Sequence, residues 1–282
     1  MLDSHNVLLS GFGWEAEISP AFGMNTVSLT YQGKPLLRRP SSAEAFHKSP
    51  VVYGSPLLLP PNRTEDAAFT FQGQRYMLPM NDPNYNNNLH GALYRSPFRI
   101  LEQSAQSVTA YYENRDELFP FPFLLTVHFW LDETGYHQAF TVENTGTGDM
   151  PLTFGLHTNF QAPCIFKAPL LHKWEMNDRH LPTGKQLPLT ELEQSYCAGS
   201  GPSGYPIFGA FVAAGHTAQL DDLLYTVSEN FNHWVLWNST GDRGFISIEP
   251  QQGNVNSLNS GIGLSCLSPG EKETYTTWYH LA

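Results

Sequence analysis

Cysteine is scarce in this chain: three residues among 282, Cys164, Cys197 and Cys266, far apart and odd in number. No Cys-x-x-Cys pair exists to hold zinc, and an odd, scattered set does not make a disulfide framework. Reduced thiols in a reducing compartment are the expectation. Long apolar runs are also missing; nothing approaches the ~20 residues that a membrane-spanning helix needs. The first residues, Met1 to Asn6, lack the basic start and apolar stretch of a secretory signal. A cytoplasmic location, without a membrane partner, is expected. Positive charge is in deficit as well, with 15 basic against 26 acidic residues and a formal charge of -11. Coulomb repulsion from phosphate backbones argues against nucleic acid and favours a neutral small-molecule ligand. Sustained helical periodicity is absent, and the stretch from Asp178 to Gln194 has room for a short turn of helix at most.

What the chain does have is punctuation: 21 prolines and 23 glycines cut it into short segments. Between the breaks lie β-branched and aromatic runs. Leu124–Leu131 and Gln138–Glu143 read as strands joined by Asp132-Glu133-Thr134-Gly135. Phe69–Phe71 and Arg75–Leu78 pair across Gln72-Gly73-Gln74, and Trp234–Trp237 precedes Gly244–Ile248 as a further hairpin or meander. Pro250 is expected to end the strand that leads to Glu249, because it removes a ladder donor. Residues 165–207 read as long connections. The fold class is all-β, one large antiparallel β-sandwich over residues 1–282, a length that β domains reach as single units.

Three polar islands interrupt this β pattern: Asn88-Leu89-His90-Gly91, Gly155-Leu156-His157-Thr158-Asn159-Phe160 and Glu249-Pro250-Gln251. Two histidines and one carboxylate form the minimum set that gives a proton to one atom while taking one from another. Each island alone also suits a plainer role. His90 fits a loop histidine, His157 a half-buried histidine bonded to a carbonyl, and Glu249 an exposed strand-end carboxylate. The other histidines show no mutual ligand spacing, so no metal and no cofactor is called for.

Taken in order, these segments resemble the aldose 1-epimerase (galactose mutarotase) family along almost the whole chain. Pro61-Asn62-Arg63 and the hairpin Phe69–Leu78 resemble its Asn-Arg segment and Gly-x-x-Tyr-x-Leu pattern. Asn88-Leu89-His90-Gly91 resembles its Leu-His-Gly motif, and Gly155–Phe160 its Gly-x-His-Pro-Tyr-Phe motif. Glu249-Pro250-Gln251 resembles its Glu-Pro-Gln, and Leu267-Ser268-Pro269-Gly270-Glu271 its closing turn. The resemblance implies a β-sandwich carrying a sugar site in a groove, and interconversion of α and β anomers of a free hexose by ring opening and reclosure.

It implies Glu249 as base at the C1 hydroxyl, His157 as acid at the ring oxygen and His90 in support. Sugar binding falls to Arg63, Asn88, Phe160 and Asp222, with Asp221 an alternative by one residue and Trp237 a second candidate for stacking. Arg63 also suits an ion pair with Glu65 or Asp66. Thr158 and Asn159 stand where proline and tyrosine are usual in the motif, and are expected to line the place of a sugar hydroxyl. The mechanism pairs an ionised glutamate with a cationic histidine. Two alternatives share the scaffold: a hexose-phosphate mutarotase, drawing on Arg63, Arg75 and Arg95, and a carbohydrate-binding protein without catalysis. A monomer and a homodimer are equally compatible with the sequence.

Overall fold

Strand-forming runs dominate because β-branched and aromatic residues alternate with polar ones, which places one face of each strand in a core and the other outside. The computed structural model describes residues 5–115, 118–202, 204–238 and 240–282; Met1–Ser4, on which part of the signal-peptide reading rests, lie outside them. Two eight-stranded antiparallel sheets carry the architecture. The first contains Ser107–Asn114, Phe123–Asp132, Gly135–Asn144 and the C-terminal Lys272–Leu281. The second contains Leu170–Met176, Ile207–Ala213, His233–Asn238 and Phe245–Gln251, and is extended by Gly155–Leu156 and Leu57–Leu58. A smaller four-stranded sheet spans Val7 to Pro35.

The core lies between the large sheets. Phe129, Phe140, Tyr136 and Tyr279 from the first face Trp234, Leu236, Ile246 and Ile248 from the second, all within one buried apolar cluster. The period-two rule then assigns the other face of the second sheet. With Ile246 and Ile248 turned inward, Phe245, Ser247, Glu249 and Gln251 point to the opposite side, as do His233, Val235 and Trp237 on the neighbouring strand.

A buried polar seam crosses the core between the sheets. Tyr136 Oη lies 2.7 Å from Thr26 Oγ1, Thr277 Oγ1 donates to Gln138, Tyr279 Oη donates to Ser55 Oγ, and Ser55 Oγ lies 2.9 Å from Thr158 Oγ1. Every member is partnered, which is the condition for polar groups to sit in a core without net destabilisation.

Both expected hairpins form, with Phe123–Asp132 on Gly135–Asn144 and Ala68–Phe71 on Gln74–Met77, and the strand holding Trp237 pairs with the strand holding Glu249. Two expectations fail. Residues 165–207 are not mainly connection: they hold Leu170–Met176, Pro182–Leu187 and an eight-residue helix, Glu191–Ala198. A reciprocal capping box starts that helix, Thr190 accepting from the Glu193 amide and Glu193 from the Thr190 amide. The strand also continues through Pro250 to Gln251, with Trp234 opposite Pro250. Its other neighbour is interrupted there, Asn159–Gln161 pairing as far as Ser247 and Gly155 resuming at Gln251. The missing N–H therefore interrupts no continuous ladder, and Glu249 stands inside the strand rather than at its end.

Candidate active site

Each island is fixed by a local backbone device. At Leu59 the chain bridges to Gly91, and a Cβ on Gly91 would stand 2.1 Å from the Leu59 carbonyl oxygen, so only glycine fits. His90 just before it takes a left-handed backbone (φ 64°), and its N–H donates to the Asn62 carbonyl at 2.7 Å. The Asn62 N–H in turn donates to His90 Nδ1 at 3.2 Å. That bond makes Nδ1 an acceptor, so neutral His90 carries its proton on Nε2 and can donate from it.

Gly155 approaches Pro61 and Gln251 so closely that an added Cβ would meet them at 2.9 and 3.1 Å. This contact seats the strand from which His157 projects, and the His157 N–H donates to the Pro56 carbonyl at 3.0 Å. Glu249 projects from the adjacent strand face. The three islands converge on a cavity of about 430 Å³, whose lining includes Asn62, Arg63, Tyr85, His90, His157, His180, Phe208, Trp237 and Glu249. Across it His157 Nε2 lies 3.3 Å from Glu249 Oε1. The His90 and His157 rings meet edge to face at 5.3 Å, and Trp237 meets His157 the same way at 5.5 Å.

Burial governs the electrostatics of this pair. Glu249 is 1% exposed and His157 4% exposed. Burial lifts the Glu249 carboxyl well above its ordinary value, opposed by the hydrogen bond from Gln251 and the charge of Arg63. Burial lowers His157 to about 4. It also holds His90 far below its usual value, with His157 and Arg63 adding to the effect. His157 Nδ1 is buried without a partner among the described residues, which further disfavours an imidazolium. Burial therefore works against the expected imidazolium–carboxylate pair, since it disfavours the charged form of each partner. Moving one proton across the 3.3 Å contact gives the imidazolium–carboxylate form at the same net charge.

Arg63 reaches the cavity from the strand Arg63–Glu65, directly opposite Leu89. Its Nε donates to Asp82 at 3.1 Å, and its guanidinium lies 5.6 Å from the Tyr85 ring centre. Glu65 and Asp66, the acids nearest in sequence, pair instead with Arg179.

Six other expected residues stand elsewhere. Asn88 is fully buried, its amide donating to the Pro79 carbonyl and its oxygen accepting from the Gly91 N–H, so it shapes the His90 turn rather than lining the cavity. Phe160 is a core residue packed against Tyr225 at 5.2 Å, on the opposite face of its strand. Asp222 and Asp221 occupy the turn between Thr217–Leu220 and Leu223–Val227, strands of the other large sheet, and neither lines the cavity. Asp221 accepts from the Cys164 and Ile165 amides. Thr158 faces the polar seam between Ser55 and Tyr225. Asn159 is fully buried; its amide donates to the carbonyls of His157, Val51 and Gly54, and its oxygen accepts from Ser247.

Among the cavity residues that the sequence reading passed over are Tyr85, Phe208 and, the titratable one with ring nitrogens free among the described residues, His180. It lies in the turn between Leu170–Met176 and Pro182–Leu187, and the local signal is the turn-forming Asn177-Asp178 before it. No group of three or more His, Cys, Asp or Glu side chains is gathered for a metal among the described residues, and no helix there is long and apolar enough to cross a membrane.

Comparison with known proteins bears on the family and the fold. The sequence model of a family described as aldose 1-epimerase matches residues 11–280. A galactose mutarotase-like protein from Clostridium acetobutylicum has a solved structure that superposes with a TM-score of 0.91 at 26% identity, over 98% of this chain and 95% of that one. The GalM/aldose epimerase homologue from C. elegans superposes at 0.83 with 14% identity over 99% of both chains, a likeness of fold. The uncharacterized protein YihR of Escherichia coli (strain K12) is 25% identical over 266 residues, 88% of this chain and 84% of that protein.

Proposed function

The chain belongs to the aldose 1-epimerase family, and on that footing we propose that it interconverts the α and β anomers of a free, uncharged aldose. The observation that carries this reading is the 3.3 Å contact between His157 Nε2 and Glu249 Oε1 inside a cavity of sugar size. An anomeric centre presents two oxygens on one carbon, the C1 hydroxyl and the ring oxygen, so its acid and base must stand side by side.

In the imidazolium–carboxylate form Glu249 takes the C1 hydroxyl proton while His157 gives one to the ring oxygen, and the C1 to ring-oxygen bond opens to an aldehyde. Rotation about C1–C2 exposes the other carbonyl face. Reclosure returns both protons, so atoms and charge balance over the cycle. The Nε2–H of His90 donates to a sugar oxygen beside this centre. Arg63 adds donors for hydroxyls and favours the ionised Glu249. Trp237 offers an apolar wall to the ring carbons.

An uncharged sugar is favoured over a phosphorylated one by the cavity's own charges. Among the described residues that line it, Arg63 is the one Lys or Arg side chain, and Asp82 counters it. Arg75 borders a separate depression with Glu65 and Asp66, and Arg95 donates to the His47 carbonyl.

Polarimetry of freshly dissolved aldoses, with and without a 6-phosphate, tests the proposal. Acceleration of the free sugar over buffer is expected; bound sugar whose anomers exchange no faster than in buffer would overturn catalysis in favour of binding alone.

A further inference from the structure

We propose that His180 is a specificity-determining residue, which hydrogen-bonds a substrate hydroxyl on the side of the sugar ring remote from C1. The inference rests on the mutarotase reading of the same cavity and adds to it a residue outside the three motif islands.

His180 lines the cavity with its ring edge-on to Tyr85 at 4.7 Å and to Phe208 at 5.2 Å. Its ring nitrogens bond no other described residue. The side chain is half-buried, so these nitrogens are open to a hydroxyl that enters the cavity. Burial and the nearby Arg63 lower its proton affinity, so near neutral pH the ring offers one donor and one acceptor, a match for a hydroxyl group.

The backbone shows that this placement is built. His180 has a left-handed conformation (φ 57°), uncommon for a residue with a side chain. Asn177 imposes it, accepting from the Arg179 and Leu181 amides through its side chain and from the His180 amide through its carbonyl. Arg179 then fastens the turn to the segment that supplies Tyr85: it donates to the Tyr85 and Asn86 carbonyls and pairs with Glu65 and Asp66. The turn therefore presents His180 in a fixed place.

That place is far from the chemistry. Phe208, against which His180 stands, pairs with Trp237, and Trp237 pairs with Ser247 on the Glu249 strand. Two strand spacings, roughly 10 Å, separate these edges. A pyranose with C1 at Glu249 would meet His180 with the hydroxyls across the ring.

The test compares the parent aldose with its monodeoxy analogues in binding titrations and in polarimetric kinetics. It uses wild type, His180→Ala, and His180→Asn, which tolerates the left-handed backbone. Wild type should bind the parent about tenfold more tightly than the analogue lacking one remote hydroxyl. Both variants should lose that preference, with kcat on the parent kept within about threefold. Wild-type selectivity retained in both variants overturns the inference, as does a fall in kcat at unchanged KM and selectivity. Binding selectivity that depends on His180 without any rate enhancement would uphold it while removing the catalytic reading, so the two proposals fail separately.

Discussion

Gln251 Nε2 donates to Oε2 of Glu249 at 3.1 Å and leaves Oε1 facing His157. The two oxygens of one carboxylate are thereby given different tasks, because Glu249 and Gln251 share a face of one strand. One oxygen is anchored and the other is free to exchange a proton.

Replacing Glu249 with glutamine should lower anomer interconversion by about 10²- to 10⁴-fold while sugar binding persists. The same change should raise the melting temperature above neutral pH. Glu249 has a folded pKa above its unfolded value, so the stability tied to its proton is full below the unfolded value and lost as pH rises through the folded one. Glutamine cannot ionise and avoids that loss. Melting curves at about pH 6 and pH 9 check it; equal loss of stability in both proteins would refute the buried carboxyl.

The His157–Glu249 pair should titrate as a unit, active while it is net neutral. The profile of kcat/KM should rise through about pH 4, where His157 releases the proton that burial disfavours. It should fall at a pH well above 4.5, where Glu249 finally ionises beside neutral imidazole. A rate independent of pH across both limbs is incompatible with this pair.

Asn159 should act as a positioning residue. Asn159→Ala orphans the carbonyls of His157 and Val51, while the Gly54 carbonyl keeps the Asn159 backbone N–H, and should cost about 3 kcal/mol of stability. Asn159→Asp keeps the shape but turns donors into acceptors against those carbonyls, and should be at least as damaging. In both, kcat should fall more than KM changes, since His157 shifts while Arg63 and Trp237 stay. Chemical denaturation and steady-state polarimetry read the two effects.

Thr158→Val should lose about 1–2 kcal/mol by removing the hydroxyl between Ser55 and Tyr225 and leave KM and kcat unchanged. Asp222→Ala should leave both kinetic constants unchanged too, because Asp222 lies in a turn of the other sheet. A rise in KM for either variant would return that residue to the sugar site.

The strand hairpins were legible because alternation and turn residues are local signals, and so were the islands that hold His90, His157 and Glu249. The helix Glu191–Ala198 escaped because two turns are too short to build a periodic pattern, although Thr190 and Glu193 spell its capping box. Thr158 and Phe160 misled for one shared reason. They flank His157 in a motif, yet they face the core that it turns away from. Asp222 misled because a short polar motif does not say which sheet its strands join.

The sequence by itself settled the alternation of faces and the order of the islands, because side-chain period and turn chemistry act over a few residues. Only the tertiary structure decided that Gln251 anchors Glu249, that His180 enters the cavity from a turn far along the chain, and that burial works against the charged forms of the acid–base pair. Those outcomes depend on which strands lie side by side and how completely they exclude water, and burial sets the protonation of a carboxyl and an imidazole more strongly than their identity does.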